Sequence, residues 1–236
     1  MKVAIMQPYF LPYIGYFQLI KSTDRFILFD DVQYIRHGWI NRNRILKPNE
    51  GWQYITVSLA QHNREALIKE IILGKEHDNG KKILAQIEHY KKRAPYFKET
   101  REVMEQCLNT SELRITPFNK HSLQVICNYL SIPFNCSLSS ELILNYSEVK
   151  DAGDWALVIS EQIGANEYIN PIAGKELFDE KAFSTKNIKL SFLEPGEINY
   201  NQRRNGVFEP WLSIIDVMMF NSKEEINNML LNYQLQ

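Results

Sequence analysis

The opening of the chain constrains the fold most, because prolines and a glycine interrupt its apolar runs. Residues 2–7 (KVAIMQ) form a short apolar run bounded by proline, which is typical of a buried strand. Over residues 13–21 the apolar positions fit a helix, with Pro12 near its first turn. Residues 25–29 (RFILF) predict a second strand. A strand, a helix and a strand within about 30 residues predict a parallel βαβ unit.

The same stretch does not have the pattern of a targeting segment. Lys2 precedes the apolar run, but Gln7, Pro8 and Pro12 interrupt it, and no small-x-small cleavage site follows. With these breaks the run is also too short and too polar to span a bilayer. We therefore expect the stretch to belong to the mature fold, and we expect no transmembrane segment.

Composition and charge narrow the class of protein. The chain has 236 residues, of which 44% are hydrophobic and 23% charged, as in an ordinary globular domain. A net charge of -1 argues against a duplex nucleic-acid partner, which selects a basic face. Cys107, Cys127 and Cys136 lack C-x-x-C spacing, and the five histidines are scattered. We therefore predict reduced thiols, a cytoplasmic location and no metal site.

The remainder of the chain predicts further strands and helices around one core. We predict a polar loop over residues 31–51 and a single domain over residues 1–236. This domain would contain a strand-rich nucleotide-binding half at 1–75, a helical insertion at 78–135 and a second α/β part with C-terminal helices at 136–236. Further strands are predicted at 52–59, 66–73, 167–170 and 187–195, and helices at 79–94, 97–108, 118–131, 154–164, 210–222 and 223–234.

Polar residues cluster at the predicted ends of strands, where open α/β sheets bind their ligands. Gln7 and Pro8 end the first strand, and Gly15 lies near the start of the following helix. A helix N-terminus offers free N–H groups to a phosphate or a carboxylate. A tight turn shaped by Pro12 and Gly15 explains these residues equally well, because the chain has no G-x-G-x-x-G or Walker pattern.

A second cluster, Asp30 and Asp31 with Gln33, closes the second predicted strand. Adjacent side chains of a strand point to opposite faces, so at most one of these carboxylates faces a site beside the sheet. Asp31 also suits the cap of the next element, and the two explanations are equally good.

The third cluster is an arginine-rich stretch, residues 37–46 (HGWINRNRIL). Arg42 and Arg44 follow Trp39 there; an arginine fork binds phosphate, and an indole ring stacks on a base. Composition alone favours a solvated surface for such a stretch. Its position after the second strand, on the same edge as the first turn, favours a binding role.

Two later stretches have a similar character. Residues 168–179 (YINPIAGKELFD) place Asn170 after a short strand, and Tyr200 and Gln202 precede a predicted helix. Asp216 lies within the apolar run SIIDVMMF, where an unpaired buried charge is costly, so we expect it to have a partner. For Asp216, a structural role in an ion pair is favoured over a catalytic role.

Four longer stretches resemble the WbqC-like proteins of bacterial surface-polysaccharide gene clusters. They are QPYFLPYIGYFQLI, FDDVQYIRHGWINRNRI, HYKKRAPYF and YNQRRNGVFEPWLSIIDVMMFN, and the resemblance covers nearly the whole chain. It implies a role in O-antigen production, for which a glycine or amino-acid transferase activity has been suggested. The family supplies no assigned catalytic set, so the candidate site residues come from the chain itself.

The opening of the chain also resembles the nucleotidyltransferase-type α/β enzymes, among them pantothenate synthetase, which forms an amide through an acyl-adenylate. The turn YIGY is similar to their H-x-G-H turn, with Tyr13 and Tyr16 in place of the histidines. A tyrosine hydrogen-bonds a phosphate but supplies no positive charge, which weakens the case for adenylate chemistry. The resemblance implies a Rossmann-like open, mainly parallel sheet and makes ATP a candidate cofactor.

We therefore predict an α/β enzyme that transfers an amino acid, glycine foremost, to the amino group of a nucleotide-linked amino sugar. Asp30, Asp31 and Tyr16 are the candidate catalytic residues, with one carboxylate removing the proton of the sugar amine. The N–H groups near the first helix, with the arginines, would stabilise phosphate or an oxyanion. The candidate substrate-binding residues are Gln7, Pro8, Tyr9, Tyr13, Gly15, Gln33, Trp39, Asn41, Arg42, Asn43, Arg44, Asn170, Tyr200, Gln202 and Asp216.

Two alternative functions remain open. One is an ATP-dependent amide ligase that works through an acyl-adenylate, and the other is a non-catalytic sugar-nucleotide-binding partner in a polysaccharide assembly complex. Release of AMP or ADP distinguishes the ligase from the other two. Sugar-nucleotide binding without turnover, whichever amino-acid donor is offered, favours the binding partner.

The arginine-rich stretch yields a first prediction. If Arg42 binds phosphate, Arg42→Ala should weaken nucleotide binding much more than it lowers the melting temperature, because a surface arginine contributes little to folding. A binding titration and a thermal melt measure the two effects. Equal loss of both, or unchanged binding, would remove Arg42 from the site.

Overall fold

A computed structural model describes residues 1–74, 79–203 and 207–236. The strands are β1 (Lys2–Met6), β2 (Arg25–Leu28), β3 (Arg42–Leu46), β4 (Trp52–Thr56), β5 (Cys136–Leu138), β6 (Glu167–Pro171), β7 (Lys189–Pro195) and β8 (Tyr233–Leu235). The α-helices are α1 (Ile14–Lys21), α2 (Asn79–Ile87), α3 (Phe97–Leu108), α4 (Ile115–Leu130), α5 (Asp154–Gln162), α6 (Glu180–Thr185), α7 (Ile214–Phe220) and α8 (Lys223–Met229). Within the described ranges, no helix is both long and apolar enough to cross a membrane.

The central sheet is six-stranded and mainly parallel, in the order β5-β2-β1-β6-β7-β8. β1 pairs in parallel with β2, from Val3↔Arg25 to Met6↔Leu28, which confirms the predicted βαβ unit. β8 alone runs antiparallel, along β7. If the five parallel strands are numbered 1 to 5 as they occur along the chain, their order across the sheet is 3-2-1-4-5. The order therefore reverses between β1 and β6, and in open sheets of this kind ligands bind outside the carboxyl ends of the strands at such a reversal.

Both faces of this sheet are covered, because apolar side chains alternate along its strands. Ala4 of β1 faces the larger core, which includes α1, α7 and the helical middle of the chain. Val3 and Ile5 face a smaller core that contains Ile159 of α5 and Phe183 of α6. A strand buried on both faces is continuously apolar, which explains the run at the start of the chain.

The helical middle of the chain packs against α7. Ile83 and Ile87 of α2 are fully buried, and the hydroxyl of Thr100 in α3 donates to the carbonyl of Met218 at 2.9 Å. The predicted start of this insertion, at Asp78, lies outside the described residues. Pro133 follows α4, whose last turn is closed by Ser131 in the left-handed conformation (φ 58°).

The prediction of a loop over residues 31–51 is wrong where β3 forms. β3 and β4 make a separate two-stranded antiparallel sheet, from Arg42↔Thr56 to Leu46↔Trp52. In β3 the buried side chain of Asn43 alternates with two arginines that lie on the opposite face. The alternation of apolar and polar residues that marks a half-buried strand is hidden in this sequence, because a polar residue, Asn43, occupies a buried position.

The prediction of a strand over residues 66–73 is also wrong. A 3-10 helix occupies Ile68–Glu70, and the flanking residues form isolated bridges instead of a ladder. The N–H groups of Ile68 and Lys69 donate to the loop carbonyls of Val32 and Asp30, at 2.9 and 3.0 Å. Loop carbonyls thus accept the hydrogen bonds of these two N–H groups, which in a sheet would go to a neighbouring strand.

The C-terminal helix is shorter than predicted. It ends at Met229, and the last residues form β8, which pairs with β7 from Leu193↔Leu235 to Pro195↔Tyr233. The free edge of β7 offers unpaired N–H and C=O groups to any nearby extended segment. The short strand β5 was not predicted, since three residues are too few to show a periodicity.

Buried polar side chains from distant elements hold the turn over residues 8–13. The amide of Asn119 in α4 donates to the carbonyls of Pro8 and Ile40, at 2.7 and 2.8 Å. The amide of Asn43 donates to the carbonyls of Phe10 and Leu11, at 3.0 Å each. The hydroxyl of Ser213 donates to the second of these carbonyls at 2.7 Å. The turn between β1 and α1 is therefore fixed from three sides.

We expect Asn119→Ala to lower the free energy of unfolding by about 2 kcal/mol, because it leaves two buried carbonyls without their donor. Asn128→Ala, on the exposed face of the same helix, is the matched control and should change it by less than about 0.5 kcal/mol. Denaturant unfolding followed by circular dichroism measures both. Similar losses in the two variants would contradict the role of Asn119.

Candidate functional site

A cavity of about 300 Å³ opens between the N-terminal turn of α1 and the segment that follows β7. It lies at the carboxyl edge of the sheet, where the chain passes from Pro195 towards α7. Its described lining consists mainly of apolar and aromatic side chains, with few polar groups. The lining residues are Tyr13, Ile14, Gly15, Pro195, Gly196, Glu197, Ile198, Asn199, Tyr200, Phe208, Pro210, Trp211, Leu212 and Val217.

Aromatic rings form two walls of this cavity. Tyr13 and Trp211 contact edge to face, with ring centroids 5.7 Å apart. Tyr200 and Phe208 contact in the same way, at 5.1 Å. Glu197 is the one carboxylate among the described lining residues, and these include no lysine, arginine or histidine. The described lining of the cavity thus combines aromatic surface with a single carboxylate.

Gly15 is required by the position of the Tyr13 ring. A Cβ atom at residue 15 would lie 2.3 Å from Cε2 of Tyr13, well inside van der Waals contact. The tyrosine ring therefore lies directly over the first turn of α1. No side chain of the described residues caps this helix, and its first turn contains no acidic residue. Its leading N–H groups have no intrahelical acceptor, and Tyr13, Ile14 and Gly15 at this end line the cavity.

Trp211 lies at the rim of the cavity in a strained conformation. Its φ of 59° is in the left-handed region, which is uncommon for a bulky residue, and its side chain is 60% exposed. The guanidinium of Arg44 donates to its carbonyl at 3.2 Å, and the N–H of Ser213 donates to the carbonyl of Arg44 at 2.9 Å. Contacts with β3 therefore hold the strained residue in place.

Arg42 and Arg44 project from the same face of β3 onto aromatic rings of β4 and of the loop that precedes β3. The guanidinium of Arg44 lies 5.4 Å from the ring of Trp39 and 5.1 Å from that of Trp52. The guanidinium of Arg42 lies 4.1 Å from the ring of Tyr54. Neither arginine has a carboxylate partner among the described residues, and Nε of Arg44 is buried without an acceptor there. We call this face the arginine surface.

A buried hydrogen-bond network lies behind the cavity. The carboxylate of Asp216, fully buried in α7, accepts from the hydroxyls of Tyr90 and Tyr200 at 2.7 Å each and from the amide of Gln202 at 3.0 Å. The N–H of Leu46 donates to the Tyr90 hydroxyl at 2.9 Å. Burial raises the pKa of both tyrosines well above its usual range, and the charge of Asp216 raises it further. The expected partners of Asp216 thus include two neutral hydroxyls and an amide.

The two candidate catalytic carboxylates at the end of β2 do not line the cavity. Asp30 is buried and accepts from the hydroxyl of Ser139 and from both the N–H and the hydroxyl of Ser140, at 2.9–3.1 Å. Asp31 pairs with Lys69 and accepts from the hydroxyl of Tyr146, at 2.7 Å each. Burial raises the pKa of Asp31, but the hydrogen bonds from Lys69, Tyr146 and Ser139 together with the charge of Lys69 outweigh burial and hold the pKa below its usual value.

Tyr16, the third candidate catalytic residue, is buried beneath the turn. Its hydroxyl donates to the carbonyl of Gln7 at 2.9 Å, and its ring packs against Tyr9 with centroids 5.7 Å apart. Burial raises its pKa well above the usual range, so the hydroxyl keeps its proton. The structure places Tyr16 in the core under Gln7 and Tyr9, away from the cavity lining.

The other polar candidates bond to nearby backbone. The Asn41 amide donates to Val57, that of Gln33 to Arg64, and that of Asn170 to Pro171. The structure therefore brings together one subset of the predicted residues. Tyr13, Gly15 and Tyr200 line the cavity, Gln202 and Asp216 lie behind it, and Trp39, Arg42 and Arg44 form the arginine surface beside it.

Three residues that line the cavity, Glu197, Phe208 and Trp211, were not among the candidates predicted from the sequence. The rule that placed candidates at the ends of strands applies equally to β7, and it would have pointed to Glu197. The sequence around Phe208 and Trp211 does not indicate a binding role, because an isolated aromatic residue is more often part of a core. Among the described residues, no group of three or more histidine, cysteine or acidic side chains could hold a metal ion.

These features define a mixed α/β protein with a mainly parallel central sheet and an aromatic cavity at its carboxyl edge. The chain belongs to the WbqC-like protein family, whose sequence model matches residues 7–228. It is 31% identical over 225 residues to the uncharacterized protein Rv1507c of Mycobacterium tuberculosis, with 92% of each chain covered. No solved structure matches the chain.

The network around Asp216 predicts a distinct dependence of stability on pH. The buried tyrosines keep their protons above pH 10, whereas those of the unfolded chain ionise near pH 10, so stability should fall as the pH rises through that value. Tyr90→Phe should cost about 1–3 kcal/mol at pH 7 and make this fall shallower. Urea unfolding between pH 7 and 11 measures both. An unchanged alkaline slope would contradict the assignment.

Proposed function

We propose that the protein binds a nucleotide-linked amino sugar and transfers an amino acid, glycine foremost, to its amino group during O-antigen or surface-polysaccharide synthesis. The sugar would occupy the aromatic cavity, and the diphosphate would bind the arginine surface. One observation carries the proposal: Arg44 contacts two indole rings and has no carboxylate partner among the described residues, and its guanidinium donates to the carbonyl of Trp211 at the rim of the cavity.

The arginine surface suits a diphosphate. A guanidinium without an acidic partner retains its full attraction for an anion, and its planar donors match two phosphate oxygens. The rings of Trp39, Trp52 and Tyr54 hold the two guanidinium groups through cation–π contacts, which reduces the side-chain entropy lost on binding. An exposed indole such as Trp39 also offers a face for stacking a base.

The size and wall of the cavity suit a sugar ring. Ligand pockets in proteins enclose about 300 Å³ or more, and the cavity reaches the lower end of this range. Apolar ring faces of Tyr13, Trp211 and Phe208 can pack on the C–H face of a sugar, while Asn199 offers hydrogen bonds at the wall. A single monosaccharide with its linkage leaving towards Trp211 would fill this space.

The fold supports a nucleotide ligand at this edge. The strand order of the parallel sheet is that of open doubly wound sheets, which bind nucleotides outside the carboxyl ends of their strands. We infer a Rossmann-like use of this edge on that basis. The uncapped first turn of α1, beneath Tyr13, would stabilise negative charge that develops on the acyl oxygen during transfer.

The proposal predicts selective stabilisation by sugar nucleotides. A thermal-shift screen should offer ATP, UDP, dTDP and several amino-sugar nucleotides, each with and without glycine. A ligand at about 100 times its dissociation constant adds about 2.7 kcal/mol to stability, which gives a clear shift. We expect an amino-sugar nucleotide to stabilise the protein and Arg44→Ala to weaken its binding by about tenfold or more. Arg101→Ala is the matched control, because Arg101 already pairs with Glu88 and Glu105.

The outcomes separate the alternative functions. Stabilisation by ATP alone, with release of AMP or ADP in an activity assay, would replace the transferase with the ligase. Stabilisation by an amino-sugar nucleotide without turnover, whichever activated amino-acid donor is supplied, would leave a binding partner of an assembly complex. No shift with any nucleotide, or equal effects of the two arginine substitutions, would remove the support for the proposal.

A further inference from the structure

We propose that the cavity selects a sugar whose amino group is free and positively charged, and that Glu197 recognises this ammonium and accepts its proton. The inference rests on the proposed function and specifies the chemical form of its substrate. It assigns the proton-accepting role to a residue outside the candidates at the end of β2.

The charge of the cavity wall is the first argument. Glu197 is its one carboxylate among the described residues, and no lysine, arginine or histidine there balances it. A phosphate in this space would meet the negative charge of Glu197, which opposes binding. A ligand cation would instead gain a favourable Coulomb interaction with this carboxylate. The cavity is therefore suited to the cationic end of a ligand.

The aromatic walls are the second argument. The edge-to-face pair of Tyr13 and Trp211 and that of Tyr200 and Phe208 surround the same space. The faces of aromatic rings carry partial negative charge and attract an ammonium group within about 6 Å of the ring centre. Aromatic rings with one carboxylate thus act together on a cation, whereas a neutral acetamido group would gain much less from either.

The backbone of Glu197 is held in place, whereas its side chain is exposed. The N–H of Gly196 donates to the carbonyl of Asn232 at 2.9 Å, and the amide of Asn232 donates to the carbonyl of Glu197 at 3.0 Å. A Cβ atom at residue 196 would lie 2.2 Å from Oδ1 of Asn232, so this close approach requires glycine. Glu197 has no salt-bridge partner among the described residues. Its carboxylate is available to a ligand.

Trp211 connects the cavity that contains Glu197 with the arginine surface. The side chain of Trp211 lines the negative cavity, and its carbonyl accepts from Arg44 of the arginine surface. A ligand that spans Trp211 would meet a carboxylate at one end and guanidinium groups at the other. A free amino sugar joined to a diphosphate has this polarity, and its N-acetylated counterpart does not.

The proposed step balances with an activated aminoacyl donor, such as a thioester or an acyl phosphate. The sugar ammonium loses a proton to the carboxylate of Glu197, and its nitrogen keeps the electron pair. That nitrogen forms a bond to the acyl carbon of the donor, and the bond from this carbon to its leaving group breaks. The leaving group departs with the electron pair, and the second nitrogen proton returns to solvent.

The test compares amine with hydroxyl ligands in matched variants. NMR titrations should use UDP-glucosamine against UDP-glucose, and free glucosamine against free glucose. We expect the wild-type protein to bind each amine about tenfold more tightly than its hydroxyl counterpart. Glu197→Gln should remove most of this preference with an unchanged melting temperature, because only the attraction of the aromatic rings would remain. Glu194→Gln, an exposed acid of β7 outside the cavity, should retain the preference.

The outcomes distinguish this inference from the proposed function. If both UDP sugars bind equally well, or if Glu197→Gln keeps the amine preference, the inference is overturned while sugar-nucleotide binding stands. If the free amine binds through Glu197 but neither UDP-glucosamine nor any amino-sugar nucleotide of the thermal-shift screen binds more tightly than free glucosamine, the cation site stands and the proposed function fails. Equal binding of free amine and free hydroxyl sugars also overturns the inference.

Discussion

The buried carboxylate of Asp216 is the interaction on which the site depends. It joins the hydroxyl of Tyr90 from the helical middle of the chain to that of Tyr200 from the cavity wall. Through Tyr90 it also reaches the N–H of Leu46 in β3, two residues from Arg44. A buried charge is tolerated only when such donors surround it, so three distant segments must assemble together. The cavity wall and the arginine surface are thereby held in a fixed relation.

The turn between β1 and α1 is the second constraint on the site. Its carbonyls accept hydrogen bonds from amides of α4 and β3 and from a hydroxyl at the start of α7. The shape of the turn is therefore set by elements far away in the chain. This rigidity places the ring of Tyr13 over Gly15 and leaves the first turn of α1 uncapped. A site of this kind is organised before ligand binding, which lowers the entropy lost when a ligand binds.

Local patterns predicted much of the fold. The apolar run of β1, the helical spacing of α1 and the run of β2 predicted a parallel unit that the strand pairing confirms. The predictions failed where long-range contacts override the local pattern. Residues 66–73 are apolar enough for a strand, but the N–H groups of Ile68 and Lys69 donate to loop carbonyls, and those of Glu70 and Ile71 donate within a 3-10 turn. Residues 233–235 were predicted as helix but form a strand, because they pair with the edge of β7.

The sequence by itself determined the family, the α/β class and the pairing of an aromatic turn with an arginine-rich stretch. Only the tertiary structure decided which polar residues share a site. Asp30 and Asp31 follow a strand as predicted, yet their carboxylates accept from serine side chains and pair with a lysine, respectively. Tyr13, Glu197 and Trp211 come together from segments almost 200 residues apart in the chain. The physical reason is that periodicity reports which face of an element is buried, whereas the residues that meet at an edge depend on how the buried faces pack.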